Sequence, residues 1–573
     1  MKLLRLKLLL PFIFTFPWAI NSQIEYPKDY FSKPIEIPLV LSGNFGESRS
    51  NHFHSGLDIK TQNKEGLKII NSADGYISRI KIAHGGFGKA LYIDHPNDFT
   101  TVYAHLKKFN KEIEDYIKKI QYKRQSYEID IYLNKNDFSI NKNQVIAFSG
   151  NTGSSSGPHL HYEIRKSSNQ KPLNPILFGM HIEDSRRPEI KSVYAYNNVD
   201  VNNYNSIDPI KLSFRKINDS IFKTTEINLK GNSGFGINVH DKQNLANNKN
   251  GVYNISTYYN DELVNSISYN GFLFEESILI NTLIDFKHYI NNKERVIKLF
   301  KTSGNKLSLY ETENNGLINI KPNHSEFKIK ISDIEKNSIF IIIPINSEKK
   351  IITNTKKEKL DLTIYNKKID NDLSYNFING EQKINIPKNT FLQNVDLHIN
   401  LSKDSLKIIN PNIPVFKNIK VIFPNSNSNY NYNSNKGNYL ANLNHNKEET
   451  FITSKLNTNN NFETKTKQLG TFFIKNDSIP PIIKSLNFKN GDWISNKSFL
   501  KLEILDEESG INKYRGTING NWVLFEYEYK RNEISYEFDK YYINKPNNEV
   551  EITVEDMVGN ISIYKSIFYR KSN

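Results

Sequence analysis

The chain has 573 residues, which at about 150 residues per domain predicts about four domains and excludes a single small one. Hydrophobic residues make up 38%, aromatics 12% and charged residues 24%, enough apolar material to exclude global disorder. The formal charge of +15 favours anionic partners, but Lys, Asn and Ile are abundant together, so the excess reads as solvated surface and no nucleic acid is expected. Cysteine is absent, which excludes a disulfide framework, a thiolate zinc site and a thiol nucleophile. Any metal must be held by histidines and carboxylates.

Residues 1–22 read as a signal peptide. Lys2, Arg5 and Lys7 precede an apolar stretch from Leu8 to Ile20, and Ala19 to Ser22 offer small or polar residues for cleavage before Gln23. The stretch is short for a bilayer span and is interrupted by Pro11 and Pro17. Nothing else approaches 18 continuous apolar residues, so an exported chain with no transmembrane span after processing is expected.

Residues 23–185 carry short β-patterned runs punctuated by glycine: Leu67 to Asn71, Gly75 to Ala83, Ala90 to Asp94, Thr100 to His105, Gln144 to Ser149 and His159 to Arg165. They predict one antiparallel β domain. Between Leu106 and Tyr122 the apolar spacing changes to 3 and 4 at Phe109, Ile113, Tyr116, Ile117 and Ile120, predicting one inserted amphipathic helix.

Beyond residue 185 a repeat emerges. Pro188-Glu189-Ile190-Lys191-Ser192-Val193 recurs as Pro481-Ile482-Ile483-Lys484-Ser485-Leu486, and a strand ending in Ser332-Asp333 with Asn337 recurs as one ending in Glu555-Asp556 with Asn560. Residues 186–345 and 476–573 are therefore expected to be Ig-like β-sandwich modules sharing their borders, free of any metal or catalytic cluster. Residues 346–475 read as a third β-rich module containing an Asn-rich loop from Pro424 to Tyr439. The fold class is mainly β and multidomain.

Seven of the 13 histidines (His52, His54, His84, His95, His105, His159 and His161) fall between residues 52 and 161. In His54-Ser55-Gly56-Leu57-Asp58, an extended chain puts positions 54, 56 and 58 on one face, with Gly56 leaving room between two ligands. His159 and His161 likewise share a strand face, and Tyr103-Ala104-His105 offers a histidine at a strand end. Two imidazoles and a carboxylate suit zinc with an open fourth position, the arrangement of a catalytic rather than a structural site.

The ordered set H-S-G-L-D, Y-A-H-L and G-P-H-L-H-Y-E-I resembles the zinc endopeptidases of the lysostaphin/LytM type, a family of peptidoglycan hydrolases. Ala73-Asp74-Gly75, the glycines around Phe87, and Ser149-Gly150-Asn151-Thr152-Gly153 add to the likeness, which covers about residues 40 to 180. The resemblance implies one zinc per chain (Zn2+) held by His54, Asp58 and His161, with His105 and His159 as the catalytic histidines. It implies peptidoglycan peptides as substrate, in the periplasm or envelope of a bacterium, with other envelope components as candidate partners of the β modules. The alternative is a non-catalytic LytM-type regulator or wall-binding scaffold. His84 and His95 are expected to be hydrogen-bonded surface turn residues, His52 to lie near the groove, and Arg49 and Asn51 to shape a loop or contact substrate.

Overall fold

A computed structural model describes residues 26–202, 207–321, 325–347, 366–425, 437–542 and 545–571. The expected signal peptide, and most of the Asn-rich loop, lie outside the described residues. The chain is mainly β, built from several mostly antiparallel sheets. No helix among the described residues is long and apolar enough to cross a membrane.

The first sheet runs in the order Leu41–Gly43, Leu57–Lys60, His159–Lys166, Phe99–Ala104, Lys89–Asp94, Gly75–Ile82, Ile129–Tyr132. Its strand His159–Lys166 alternates with period 2, so His159, His161, Glu163 and Arg165 fall on one face. The register puts His161 opposite Asp58 on one side and Ala104 on the other. Since His105 follows Ala104, the pairing alone gathers residues from three distant segments.

The inserted helix spans Lys111–Arg124. Asn110 caps it by accepting from the Ile113 amide, Glu112 and Glu114 lie in its first turn and Lys123 and Arg124 in its last, all favourable to the helix dipole. Ile113, Ile117 and Gln121 are buried. Phe109, expected on the helix, instead ends the strand Leu106–Phe109, in the small sheet with Val145–Ser149 and Lys68–Ile70.

Residues 189–346 form two further sheets facing each other, with Phe235 stacked on Phe327 at 4.1 Å between ring centroids. Their interior is continuous with that of the first domain, one buried cluster running from Phe31 to Ile345 and joined by Leu524 of the last module. Phe272 is central to the junction, its ring 5.2 Å from those of both Phe45 and Phe53. Residues 367–476 and 482–569 each build two sheets around a separate core. The repeated motifs occupy equivalent places: Glu189–Tyr196 and Ile482–Ser485 open their units, and the hairpins Ser325–Ser332/Ser338–Asn346 and Asn547–Asp556/Ile561–Tyr569 close them.

The last module folds back on the first domain. Tyr122 of the helix stacks on Tyr541 at 4.0 Å and donates to the Asp539 carboxylate. The buried Lys89 ammonium meets both Glu526 carboxylate oxygens at 2.9 Å. Lys530 donates to the carbonyls of Asn151 and Ser155, at 2.6 and 3.0 Å.

Candidate metal centre and active site

His54, Asp58 and His161 come together, one ligand atom from each lying within 4.8 Å of the others. His54 Nε2 is 3.0 Å from Asp58 Oδ1 and 3.1 Å from His161 Nδ1, which is itself 2.9 Å from the same oxygen. Ligands about 2.0–2.2 Å from a tetrahedral zinc stand little more than 3 Å apart, so these spacings fit the ion with slight expansion. The strand containing Asp58 begins only at Leu57, and His54 approaches from the irregular link after His52–Phe53 rather than from one extended strand. Gly56 allows this: a Cβ there would stand 2.4 Å from the Tyr162 carbonyl oxygen and 3.1 Å from His161 Nε2.

The far side of each ligand is tied down, which fixes tautomer and ring orientation. His54 Nδ1 donates to the Asn44 carbonyl at 2.8 Å, and His161 Nε2 donates to Glu163 Oε1 at 2.8 Å. Glu163, fully buried, also accepts from Ser55 Oγ at 2.6 Å and from Arg165 Nε at 2.5 Å. Arg49 Nη2 donates to Asp58 Oδ2 at 2.5 Å, leaving Oδ1 as the converging oxygen.

Burial opposes ionisation of Asp58, but the charge of His54 and hydrogen bonds from His159, His161 and His54 outweigh it, holding the carboxyl well below the usual range. Burial also works against Glu163, yet Arg165 and His161 bring it down to about 2. For His161 burial is overcome by bonds to Asp58 and Glu163, which lift it to about 9.

His105 and His159 stand beside this group, their ring centroids 4.8 Å apart. His105 Nδ1 donates to the Thr152 carbonyl and His159 Nδ1 to the Gly157 carbonyl, both at 2.8 Å, so each turns its Nε2 the other way. His159 Nε2 lies 3.4 Å from Asp58 Oδ1. Burial, then repulsion from His161 and His159, pushes His105 down to about 3, leaving it neutral at neutral pH. Its backbone is left-handed, φ 58°, unusual outside glycine and a form of local strain that concentrates at functional sites.

Other expectations change. His95 is not at the surface: it is 6% exposed, donating to the Asp74 carbonyl and accepting from Thr101 Oγ1, with the Phe31 ring edge-on at 5.3 Å. His84 stacks on Tyr127 at 4.9 Å and meets Tyr514 and Tyr527 of the last module, partners more than 300 residues away in sequence. His52 is exposed and bonds back to the Ser50 carbonyl. Nor are the β modules free of metal-type clusters, since Asp184, Asp241 and Asp333 group in one and Asp477, Asp506 and Asp556 in the other. Sequence reasoning also assigned no role to Asn44 or Glu163; for Glu163 the signal was there, two residues after His161 on the same strand face.

The family model described as peptidase family M23 matches residues 52–122 and 127–175. The chain carries a peptidase family M23 domain. M23 enzymes are metallopeptidases, and His54, Asp58, His105, His159 and His161 all lie within the matched segments. The chain is 34% identical over 123 residues to the DD-carboxypeptidase/endopeptidase Mpg of Neisseria meningitidis serogroup B, covering 22% of each chain. It is 28% identical over 137 residues to the peptidoglycan DD-endopeptidase ShyA of Vibrio cholerae, covering 23% of this chain and 26% of that one. The catalytic domain of lysostaphin from Staphylococcus simulans aligns at 19% identity and a TM-score of 0.18, over 24% of this chain and 90% of that one. The chain thus spans about a quarter or less of the length of these two curated relatives, and the M23 likeness concerns the first domain only.

Proposed function

We propose that the chain is an exported zinc metalloendopeptidase that hydrolyses peptide cross-links of cell-wall peptidoglycan. The observation that carries this reading is the convergence of His54 Nε2, Asp58 Oδ1 and His161 Nδ1, with His105 and His159 on its flank. Two imidazoles and one carboxylate are a zinc-type donor set, and the bonds from His54 to Asn44 and from His161 to Glu163 leave His54 Nε2 and His161 Nδ1 as the nitrogens that face inward, where a cation would displace any proton they share with Asp58. The M23 match and the endopeptidase names of the relatives support the substrate class.

Bound between these residues, zinc would supply Lewis acidity toward an amide carbonyl and bring the pKa of a water toward about 7. The chain's own groups do the rest. With Nδ1 held by Thr152 and Gly157, His105 and His159 each direct Nε2 into the site, one to take the proton of the nucleophile and the other to donate toward the developing oxyanion. Arg49 keeps Asp58 turned, and Phe87, with its ring 4.9 Å from that of His161, keeps water from the ligand's flank.

The test is digestion of purified sacculi by the zinc-loaded chain, with and without a chelator, followed by mass analysis of the released muropeptides. Cleaved cross-links that disappear with chelation and return with zinc are expected. Wall binding without cleavage by the zinc-loaded chain would overturn the proposal in favour of a regulator or scaffold.

A further inference from the structure

The two aspartate triads of the β modules occupy matching places in the repeat. Asp184 and Asp477 each stand four residues before the repeated proline, Pro188 or Pro481. Asp241 and Asp506 each follow the strand paired with the unit's opening strand, Asn232–His240 or Phe499–Leu505. Asp333 and Asp556 each begin the closing hairpin's turn. There Asn337 donates its amide and side chain to Asp333 at 2.8 Å, and reaches the Asp184 carbonyl at 3.2 Å. Asn560 does the same to Asp556 at 2.8 Å and to the Asp477 carbonyl at 3.1 Å.

The triads differ in what satisfies them. In the second, Asp477 accepts from the amides of Ile479 and Ser509, Asp506 from Gly510, and Asp556 from Val558 and Asn560. In the first, Asp241 is 5% exposed and its Oδ1 has no hydrogen-bond partner. Asn250, bonded to Asp241 backbone to backbone in both directions at 2.9 Å, is 3% exposed, and neither atom of its side-chain amide has a partner. Both line one cavity with Asp184, Asp333, Gln243 and Asn44. Buried polar atoms without partners are destabilising, and close carboxylates repel.

We infer that Asp184, Asp241 and Asp333 bind a divalent cation of the calcium class. The donors are all oxygen, with no imidazole among them, which favours a hard ion over zinc. Three carboxylates on separate segments, with an amide nearby, suit calcium's flexible coordination better than the strict octahedron of magnesium. Arg186 and Glu335 also act on the cluster, but the Arg186 guanidinium is engaged with the Gln243 carbonyl and Glu189. Burial, then the charges of Asp333 and Asp184, raises Asp241 to about 8, a penalty that a cation would reverse. The ion would clamp the link after the peptidase domain to two strand ends of the next module. It would also brace the Asn44 loop, whose side chain exchanges two hydrogen bonds with Gly251 at 2.7 and 2.8 Å.

The test is calcium titration of the zinc-loaded full chain by calorimetry, with unfolding midpoints measured with and without calcium, for wild type and for Asp241→Asn, Asp184→Asn and Asp506→Asn. Wild type should bind calcium with a dissociation constant of about 1 mM or tighter, the range of extracellular modules, and its midpoint should rise on binding. Asp241→Asn and Asp184→Asn should each lose one ion or bind it at least tenfold more weakly. Without calcium, Asp241→Asn should unfold no lower than wild type, which separates a lost ligand from a lost fold. Three outcomes overturn the inference: no calcium binding by wild type, unchanged binding in both Asp241→Asn and Asp184→Asn, or loss of the ion only in Asp506→Asn.

Discussion

His54 donates a hydrogen bond from Nδ1 to the Asn44 carbonyl at 2.8 Å, and the Asn44 side chain clasps Gly251 of the neighbouring module. The orientation of one candidate metal ligand is thus set by a loop that the peptidase domain does not hold alone. Phe272, buried against Phe45, the residue after Asn44, and against Phe53, the residue before His54, extends the dependence to the hydrophobic core.

Phe272→Ala should therefore destabilise the chain by about 3–5 kcal/mol, the usual cost of emptying a buried phenylalanine site. Denaturant unfolding measures it. A loss below about 1 kcal/mol would mean the two domains do not share a core in solution.

Glu163→Gln keeps an acceptor for His161 but removes the charge that polarises the ring. Zinc affinity, measured by chelator competition, should fall about 10- to 100-fold, as is common for the groups behind metal ligands. Unchanged affinity would show that the bond only positions the ring.

For the flanking histidines, His159→Ala and His105→Asn should retain zinc and lose about 10²- to 10⁴-fold in turnover. Asparagine is chosen at 105 because it tolerates the left-handed backbone found there. Metal analysis beside the rate decides the matter, since zinc lost from His159→Ala would make that residue a ligand.

Lys298 supplies a pH signature distant from the centre. Burial, only partly offset by Asp285, lowers it to about 8, against about 10.4 in an unfolded chain. The unfolded state then holds more protons between those values, so stability should rise with pH across that window and be lost as pH falls through it. Lys298→Met should flatten the rise and stabilise the chain at pH 7 by up to about 3 kcal/mol. Parallel pH profiles of the two proteins would refute this.

Much of the first domain was legible because its signals are local. The alternation from His159 onward and the 3-and-4 spacing of Ile113, Ile117 and Ile120 each reflect the geometry of a single segment, whereas Gly56 serves clearance from Tyr162 and His161 rather than an extended strand through His54 and Asp58. What stayed hidden depends on distant partners. His84 reads as a turn residue until Tyr514 and Tyr527 arrive, and Asp241 is an ordinary acidic residue until the folded sheets set it beside Asp184 and Asp333. The spacing of Phe109 satisfies the helical period, yet its pairing with Ala147 claims it for a strand. Arg49 reads in sequence as a residue that shapes a loop or contacts substrate, and its bond to Asp58 emerges only when the fold brings the two together.

The hydrogen bonds from Lys530 to Asn151 and Ser155 have a consequence measured in time. Their ends are 379 and 375 residues apart along the chain. At a synthesis rate of about 5–20 residues per second, that interval lasts about 20–75 s. For this period the loop leading to His159 exists without its lysine clasp, so a freshly emerging peptidase domain acquires this support only when a segment made more than 370 residues later has folded back onto it.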